Sequence, residues 1–251
     1  MTVESRVTRV LLACGAVGAP FSLVVFHLDA VTRPGYELLR HGPSLLMTGD
    51  WGWIQITNFV VTGILMLACA VGLRRTLVPG LGSSWGPLLM VAYGLGMICT
   101  GVFVTDPQLG FPPGAPQDLL PGVNAEASWH GNVHTVSVLF MYASLTAACF
   151  VFARRFAAEP GGRWWAASLV ATGVAAPTVL IVGAFIFQTL SLSSQWIAVA
   201  DGVAGRVIIP LGWIWAALVP ARMLATLTQP SLAFASAAPD PRTTRPNGEA
   251  C

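Results

Sequence analysis

The sequence predicts an all-α fold: a bundle of six transmembrane helices, with both termini cytoplasmic and two long outer loops. Three observations predict it. The chain is 55% hydrophobic and only 10% charged, where a soluble domain carries about 25% charged residues. Six apolar runs each have the roughly 20 residues that carry a helix across a bilayer core. The arginines fall mostly at alternate ends of those runs, the bias that orients membrane helices. Mean hydropathy is +0.69. No alternating barrel pattern occurs, and an unpaired backbone is intolerable in lipid, so the runs are helices.

The first run covers residues 10–28 and follows Arg6 and Arg9. A basic start before an apolar run resembles a signal peptide, but no small-residue cleavage site follows. The "LLAC" at 11–14 has only four residues between Arg9 and Cys14, too few for a lipoprotein signal. The first helix is therefore expected to stay uncleaved. The second run, 53–73, ends at Arg74 and Arg75. The third, 86–104, carries Gly94, Gly96 and Gly101 as a small-residue surface for close packing. The fourth, 133–152, is followed by Arg154, Arg155 and Arg163 before the fifth, 166–190. The sixth, 203–224, ends at Arg222, with Arg242 and Arg245 beyond it.

With six spans all these arginines share one side, expected to be cytoplasmic; Arg33, Arg40 and Arg206 lie on the other. Tryptophans fit the same frame: Trp51, Trp53, Trp129 and Trp196 at the outer interface, and Trp85, Trp164 and Trp165 at the inner one. Pro20, Pro177 and Pro210 lie inside runs and are expected to kink them. The expected organisation is a transmembrane domain over 1–225 and a cytoplasmic tail over 226–251, rich in Ala, Pro, Ser and Thr and expected to be disordered.

The outer loops, 29–52 and 105–131, are long. The second holds Pro107, Pro112, Pro113, Pro116 and Pro121, which exclude regular helix. Such a loop is a binding element or mere connection, and both readings stand. No cysteine pair falls in an outer loop and no C-x-x-C occurs, so no disulfide framework is expected. Nothing resembles a nucleic-acid-binding surface. Phosphate-loop and dinucleotide fingerprints are absent. "GSSWG" at 82–86 matches a serine-hydrolase elbow, but Ser84 sits on the inner side. Every histidine is across a hydrocarbon core about 30 Å thick, so that reading fails.

All four histidines, His27, His41, His130 and His134, fall on the outer side with most of the carboxylates. Chemistry is therefore expected there. At 100° per residue, His130, His134, Ser137, Met141 and Ser144 form one stripe of the fourth helix, and Trp51, Gln55, Asn58 and Thr62 one stripe of the second. Polar stripes avoid lipid, so both are expected to line one outward-facing cavity, or else to form interhelical seams. Two histidines four apart can hold a metal, serve acid–base chemistry, or act structurally. Two ligands make no site, and no metal is assigned. Arg206, near the start of the sixth helix, is expected to pair with Asp106 or Asp201.

"TRPGYELLRHGPSLL" (32–46), "GWIQITNFVVTG" (52–63), "GLRR" (72–75), "TDPQLGFPPGAP" (105–116), the histidine opening the fourth helix and "GVAGR" (202–206) occur in this order. Together they resemble a bacterial membrane family known as domain of unknown function 998, from the first helix to the sixth. The resemblance implies six helices and outer placement of these residues, and it supplies no activity or cofactor. It directs attention to Arg33, His41, Gln55, Asn58, Asp106, Pro107, His134 and Arg206; His130 does not match its pattern.

The reading is a multi-pass protein of a bacterial inner membrane that binds a small apolar or amphipathic molecule or lipid in an outward-facing polar cavity. Arg33, His41, Gln55, Asn58 and Arg206 are candidate binding residues. An alternative is a membrane enzyme, an isomerase or cyclase of a lipid or isoprenoid, with Asp106 and His134 as candidate acid–base residues. A transporter is a second alternative, disfavoured because the spans hold almost no charge at mid-depth.

Overall fold

A computed structural model describes residues 3–120, 125–190 and 194–228, with the side chains of 180–190, 194–201, 203, 204, 208 and 228 outside the description. Among the described residues there are six α-helices and no strand beyond one isolated bridge, Gln108 to Phe111. The helices are α1 (Val3–Thr32), α2 (Gly52–Leu77), α3 (Trp85–Val102), α4 (Trp129–Ala157), α5 (Arg163–Leu190) and α6 (Ser194–Thr228). Five segments are long and apolar enough to cross a membrane: α1 to α4 and Gly205–Leu227 of α6. The protein is thus a multi-pass membrane protein.

Most helices extend past their apolar runs at both ends; α3 stops at Val102, two residues short of its run, and α5 ends with its run at Leu190. α1 reaches Thr32, so Asp29 lies inside its last turn. α6 continues to Thr228, so the first three residues of the expected 226–251 tail are helical, and the rest of that tail lies outside the described residues. The helices run through Pro20, Pro177 and Pro210, and through Pro220 as well. Apolar length outweighs the missing hydrogen bond at each proline, because lipid offers the backbone no alternative partner.

The helices form a ring in which each packs on the next and α6 closes back on α1. Glycines set the close approaches. A Cβ on Gly63 of α2 would meet the Gly94 carbonyl of α3 at 2.7 Å, and one on Gly94 would meet the Gly63 carbonyl at 2.9 Å. Gly96 faces the other way, onto the Met141 backbone of α4. The expected single glycine surface on α3 is therefore two faces, one for each neighbour. Two steps of helix turn Gly96 roughly 200° from Gly94, which explains the split.

One end of the ring carries the short connections and most arginines. There Arg222 pairs with Glu159 at 2.8 Å and lies over the Phe156 and Trp165 rings, 4.6 and 4.9 Å from their centroids. Trp165 is thus part of this packing. Trp51, Trp53, Trp85, Trp129 and Trp164 are exposed, as interfacial residues should be; the side chain of Trp196 lies outside the described residues. Ser84 is at this end, beside Arg74. The opposite end carries both long loops.

Candidate functional site

The loop end is built around two arginines. Arg33 follows α1 and folds back on Asp29, one turn earlier. Its Nη2 donates to both carboxylate oxygens at 2.7 and 2.9 Å, and its Nε donates to one at 3.1 Å. The same guanidinium donates to the carbonyls of Trp51 (2.8 Å) and Thr48 (3.4 Å). It thereby ties the end of α1 to the 3₁₀ turn Pro43–Met47 and the start of α2. Both members of the ion pair are buried.

The second arginine comes from α6. Arg206 donates to the Gly202 carbonyl at 2.6 Å, to the His41 carbonyl at 3.3 Å and to the Tyr36 hydroxyl oxygen at 3.4 Å. Its described contacts include neither Asp106 nor Asp201. The side chain of Asp201 lies outside the described residues, and Asp106 is engaged elsewhere. Above Arg206, the rings of Tyr36, His41 and Phe111 pack with centroids 5.3 to 5.4 Å apart. Phe111 comes from the second loop, so this cluster joins the two loops.

His41 fastens the joint. The Glu37 N–H donates to Nδ1 at 3.0 Å, so Nδ1 carries the lone pair. The proton is then on Nε2, which donates to the Leu109 carbonyl of the second loop at 3.1 Å. The imidazole is neutral and has no nitrogen left for a ligand. Burial holds its pKa below the ordinary 6.5, with the Arg40 and Arg206 charges acting the same way and the Leu109 carbonyl and Glu37 opposing. Below 6.5 the unfolded chain takes up a proton that the folded ring refuses. The stabilisation is therefore complete above that pH and falls as pH drops towards the folded value. Lowering pH from about 7.5 to about 5.5 is expected to speed amide exchange in residues 36–47 and 108–119, beyond the change in intrinsic rate. Exchange mass spectrometry checks this, and His41→Gln is expected to remove the pH dependence.

Gln55 and Asn58 sit on a different surface. Asn58 Nδ2 donates to the Ser22 carbonyl of α1 at 3.1 Å and to Gln55 Oε1 at 3.2 Å. The α2 stripe faces α1, and α3 stands between α2 and α4 in the ring. The expectation that both polar stripes line one cavity is therefore corrected: the α2 stripe is an interhelical seam. Trp51 leaves it for the surface, 58% exposed.

Of the α4 stripe, His134 alone reaches a cavity. This cavity measures about 240 Å³ and lies between both loops and the first turns of α4. Ser44 and Leu45 come from the first loop, Asp106 and Gln108 from the second, and His134 and Leu139 from α4. Ser128 is the N-cap of α4, its Oγ accepting from the Gly131 N–H at 3.0 Å. The Ser128 N–H donates to Asp106 Oδ2 at 2.9 Å. Gly131 is required here, because a Cβ would collide with the Asp106 carboxylate.

The two histidines diverge. His130 Nδ1 lies 3.0 Å from the Val104 carbonyl, 2.9 Å from Ser128 Oγ and 3.9 Å from Asp106 Oδ1. It stays at the rim and does not line the cavity. His134 is buried at 4% exposure. Its Nδ1 donates to the carbonyls of Phe103 (2.8 Å) and Thr100 (3.2 Å), the last acceptors of α3. That fixes the tautomer: Nε2 carries a lone pair, with no partner among the described residues. Among these residues no group of three or more His, Cys, Asp or Glu could hold a metal.

Of the candidate residues, the structure brings only Asp106 and His134 to this cavity. Arg33 and Thr48 line a second, surface cavity of about 350 Å³ with Asp50 and Trp51. Residues that sequence reasoning missed are Tyr36, Phe111, Ser128, Gly131, Ser44 and Gln108. Ser128 was legible as an N-cap serine opening an apolar helix; the others had no periodic signal.

A family model described as "Protein of unknown function (DUF998)" matches residues 16–222. No curated protein and no solved structure matches the chain.

Proposed function

The chain belongs to this family of proteins of unknown function, and on that footing we propose that it binds a small amphipathic molecule or lipid in the cavity beside His134. One observation carries the reading. In a cavity of about 240 Å³, an imidazole nitrogen with a free lone pair and a carboxylate share walls with Pro43, Leu45, Val138 and Leu139. Ligand sites combine apolar walls with a few placed polar groups in this way. The arginines, His41 and the aromatic cluster act as the frame that holds the two loops over the cavity. Native mass spectrometry of gently extracted protein tests this. A small molecule is expected to travel with the wild type and to be lost from Val138→Trp, whose indole fills the cavity. An adduct held equally by both would contradict the reading.

The proposal places the protein in a bacterial inner membrane with six spans, α5 being the sixth. The loop end faces outward, and both termini and the tail are cytoplasmic. The arginine-rich opposite end supports this orientation. In a variant lacking Cys251, Asp118→Cys is expected to react with a membrane-impermeant maleimide in intact cells. Ser83→Cys is expected to react only after permeabilisation. The reverse pattern would invert the topology.

A second reading is favoured by the same pair of residues. A carboxyl group and a neutral imidazole in one partly apolar cavity are the parts an acid–base isomerase or cyclase needs. Under it, Asp106→Asn keeps the bound molecule and stops its conversion, which product analysis by mass spectrometry detects.

A further inference from the structure

We propose that the molecule bound beside His134 carries a neutral or cationic head rich in hydrogen-bond donors, a hydroxyl or an amine, and not a phosphate; this rests on the binding reading above.

The cavity offers acceptors. His134 Nε2 presents a lone pair, because Nδ1 holds the proton against the α3 carbonyls. The Asp106 carboxylate has one oxygen engaged by the Ser128 N–H, and it accepts and does not donate. Thr135 also lines the cavity, and its hydroxyl proton is spent on the Gly131 carbonyl at 3.0 Å, which leaves its oxygen able only to accept. The Ser44 and Thr105 hydroxyls line it too and can donate or accept, and the Gln108 amide is the one lining side chain with N–H groups left to donate among the described residues. A head that donates satisfies this set. A phosphate, which only accepts when fully ionised, would leave His134 Nε2 and the Asp106 carboxylate without a donor.

Cations are missing as well. The chain has no lysine, and no arginine lines the cavity among the described residues. The loop-end guanidiniums of Arg33, Arg40 and Arg206 lie outside the lining and are spent on Asp29, on the Gln117 carbonyl and on the Gly202 and His41 carbonyls. The start of α4 would be the natural anion site, since the first N–H groups of a helix point at it. Protein groups already hold that place: Asp106 takes the Ser128 N–H and Ser128 Oγ takes the Gly131 N–H. A second anion would sit against the Asp106 carboxylate.

The tail follows from α4. Val138 and Leu139 lie about one turn beyond His134 towards the middle of the helix, and Leu139 is 57% exposed on the outer surface of the bundle. An alkyl or isoprenoid chain leaving the head along this wall runs directly into the bilayer. The ligand class is therefore a long-chain alcohol, an acylglycerol or an alkyl amine.

Native mass spectrometry of the full chain with oleyl alcohol, oleylamine or oleyl phosphate at matched concentration tests this. Wild type is expected to retain the alcohol and the amine at least about tenfold more than the phosphate, and Val138→Trp is expected to lose both. Gln108→Arg, which supplies the missing cation, is expected to gain phosphate binding. Phosphate retained as well as the alcohol by wild type, and lost in Val138→Trp, would overturn the head class and leave the cavity reading standing. Equal retention of every probe by wild type and Val138→Trp would overturn both. Melting temperatures of the variants show whether each is folded.

Discussion

Replacing Arg33 with methionine is expected to cost about 3–5 kcal/mol of stability, the range for breaking a buried ion pair. The effect is large because the partner stays behind. Asp29 would remain 5% exposed with its carboxylate unpaired, and the carbonyls of Trp51 and Thr48 would lose a donor. Arg40 is the control. Its contact with Glu37 is 3.9 Å long and Glu37 is 65% exposed, and such surface pairs contribute about 0–1 kcal/mol. Arg40→Met is therefore expected to fall within that range. Changing Asp29→Leu together with Arg33→Met removes the orphaned charge and is expected to recover part of the loss. Unfolding in mixed micelles measures all four proteins. Equal losses at Arg33 and Arg40 would remove the ion pair from its framing role.

The second large effect is expected at His134, where two jobs can be separated. The ring donates from Nδ1 to the end of α3 and offers Nε2 to the cavity. His134→Ala loses both, leaving buried carbonyls without a donor at about 1–3 kcal/mol, and it also loses the bound molecule. His134→Asn sets an amide N–H near the position of Nδ1 and nothing near Nε2. It is expected to keep most of the stability and lose the ligand. His134→Gln reaches the Nε2 position instead and is expected to lose stability while retaining some ligand. Melting temperature and native mass spectrometry read the two jobs separately. If Asn and Gln behave alike in both, His134 is a packing residue only.

The transmembrane architecture was legible because lipid imposes it residue by residue. Every apolar run of sufficient length became a helix, and the exposed tryptophans marked its ends. The buried α4 stripe was legible too, since His134, Ser137, Met141 and Ser144 follow the helical period and are all buried. What period could not supply was the partner. Gln55 and Asn58 form an equally regular stripe, yet their neighbour is Ser22 of α1, because α3 separates α2 from α4. Arg206 was legible as a charge near the start of a span and in need of contacts, but a guanidinium is satisfied by carbonyls as well as by carboxylates, and it found those of Gly202 and His41. The loop cluster of Tyr36, His41 and Phe111 depends on residues about 70 apart in sequence meeting in space, which no local pattern encodes.

A binding site read by His134 and Asp106 between the loops and α4 requires an occupant in that cavity. A side-chain-resolution map of the protein in lipid nanodiscs tests it most directly. Density is expected for a non-protein molecule with its polar end within hydrogen-bond reach of His134 Nε2 and its tail along Val138 and Leu139. A cavity collapsed onto its own side chains, with Nε2 bonded to protein, would contradict it.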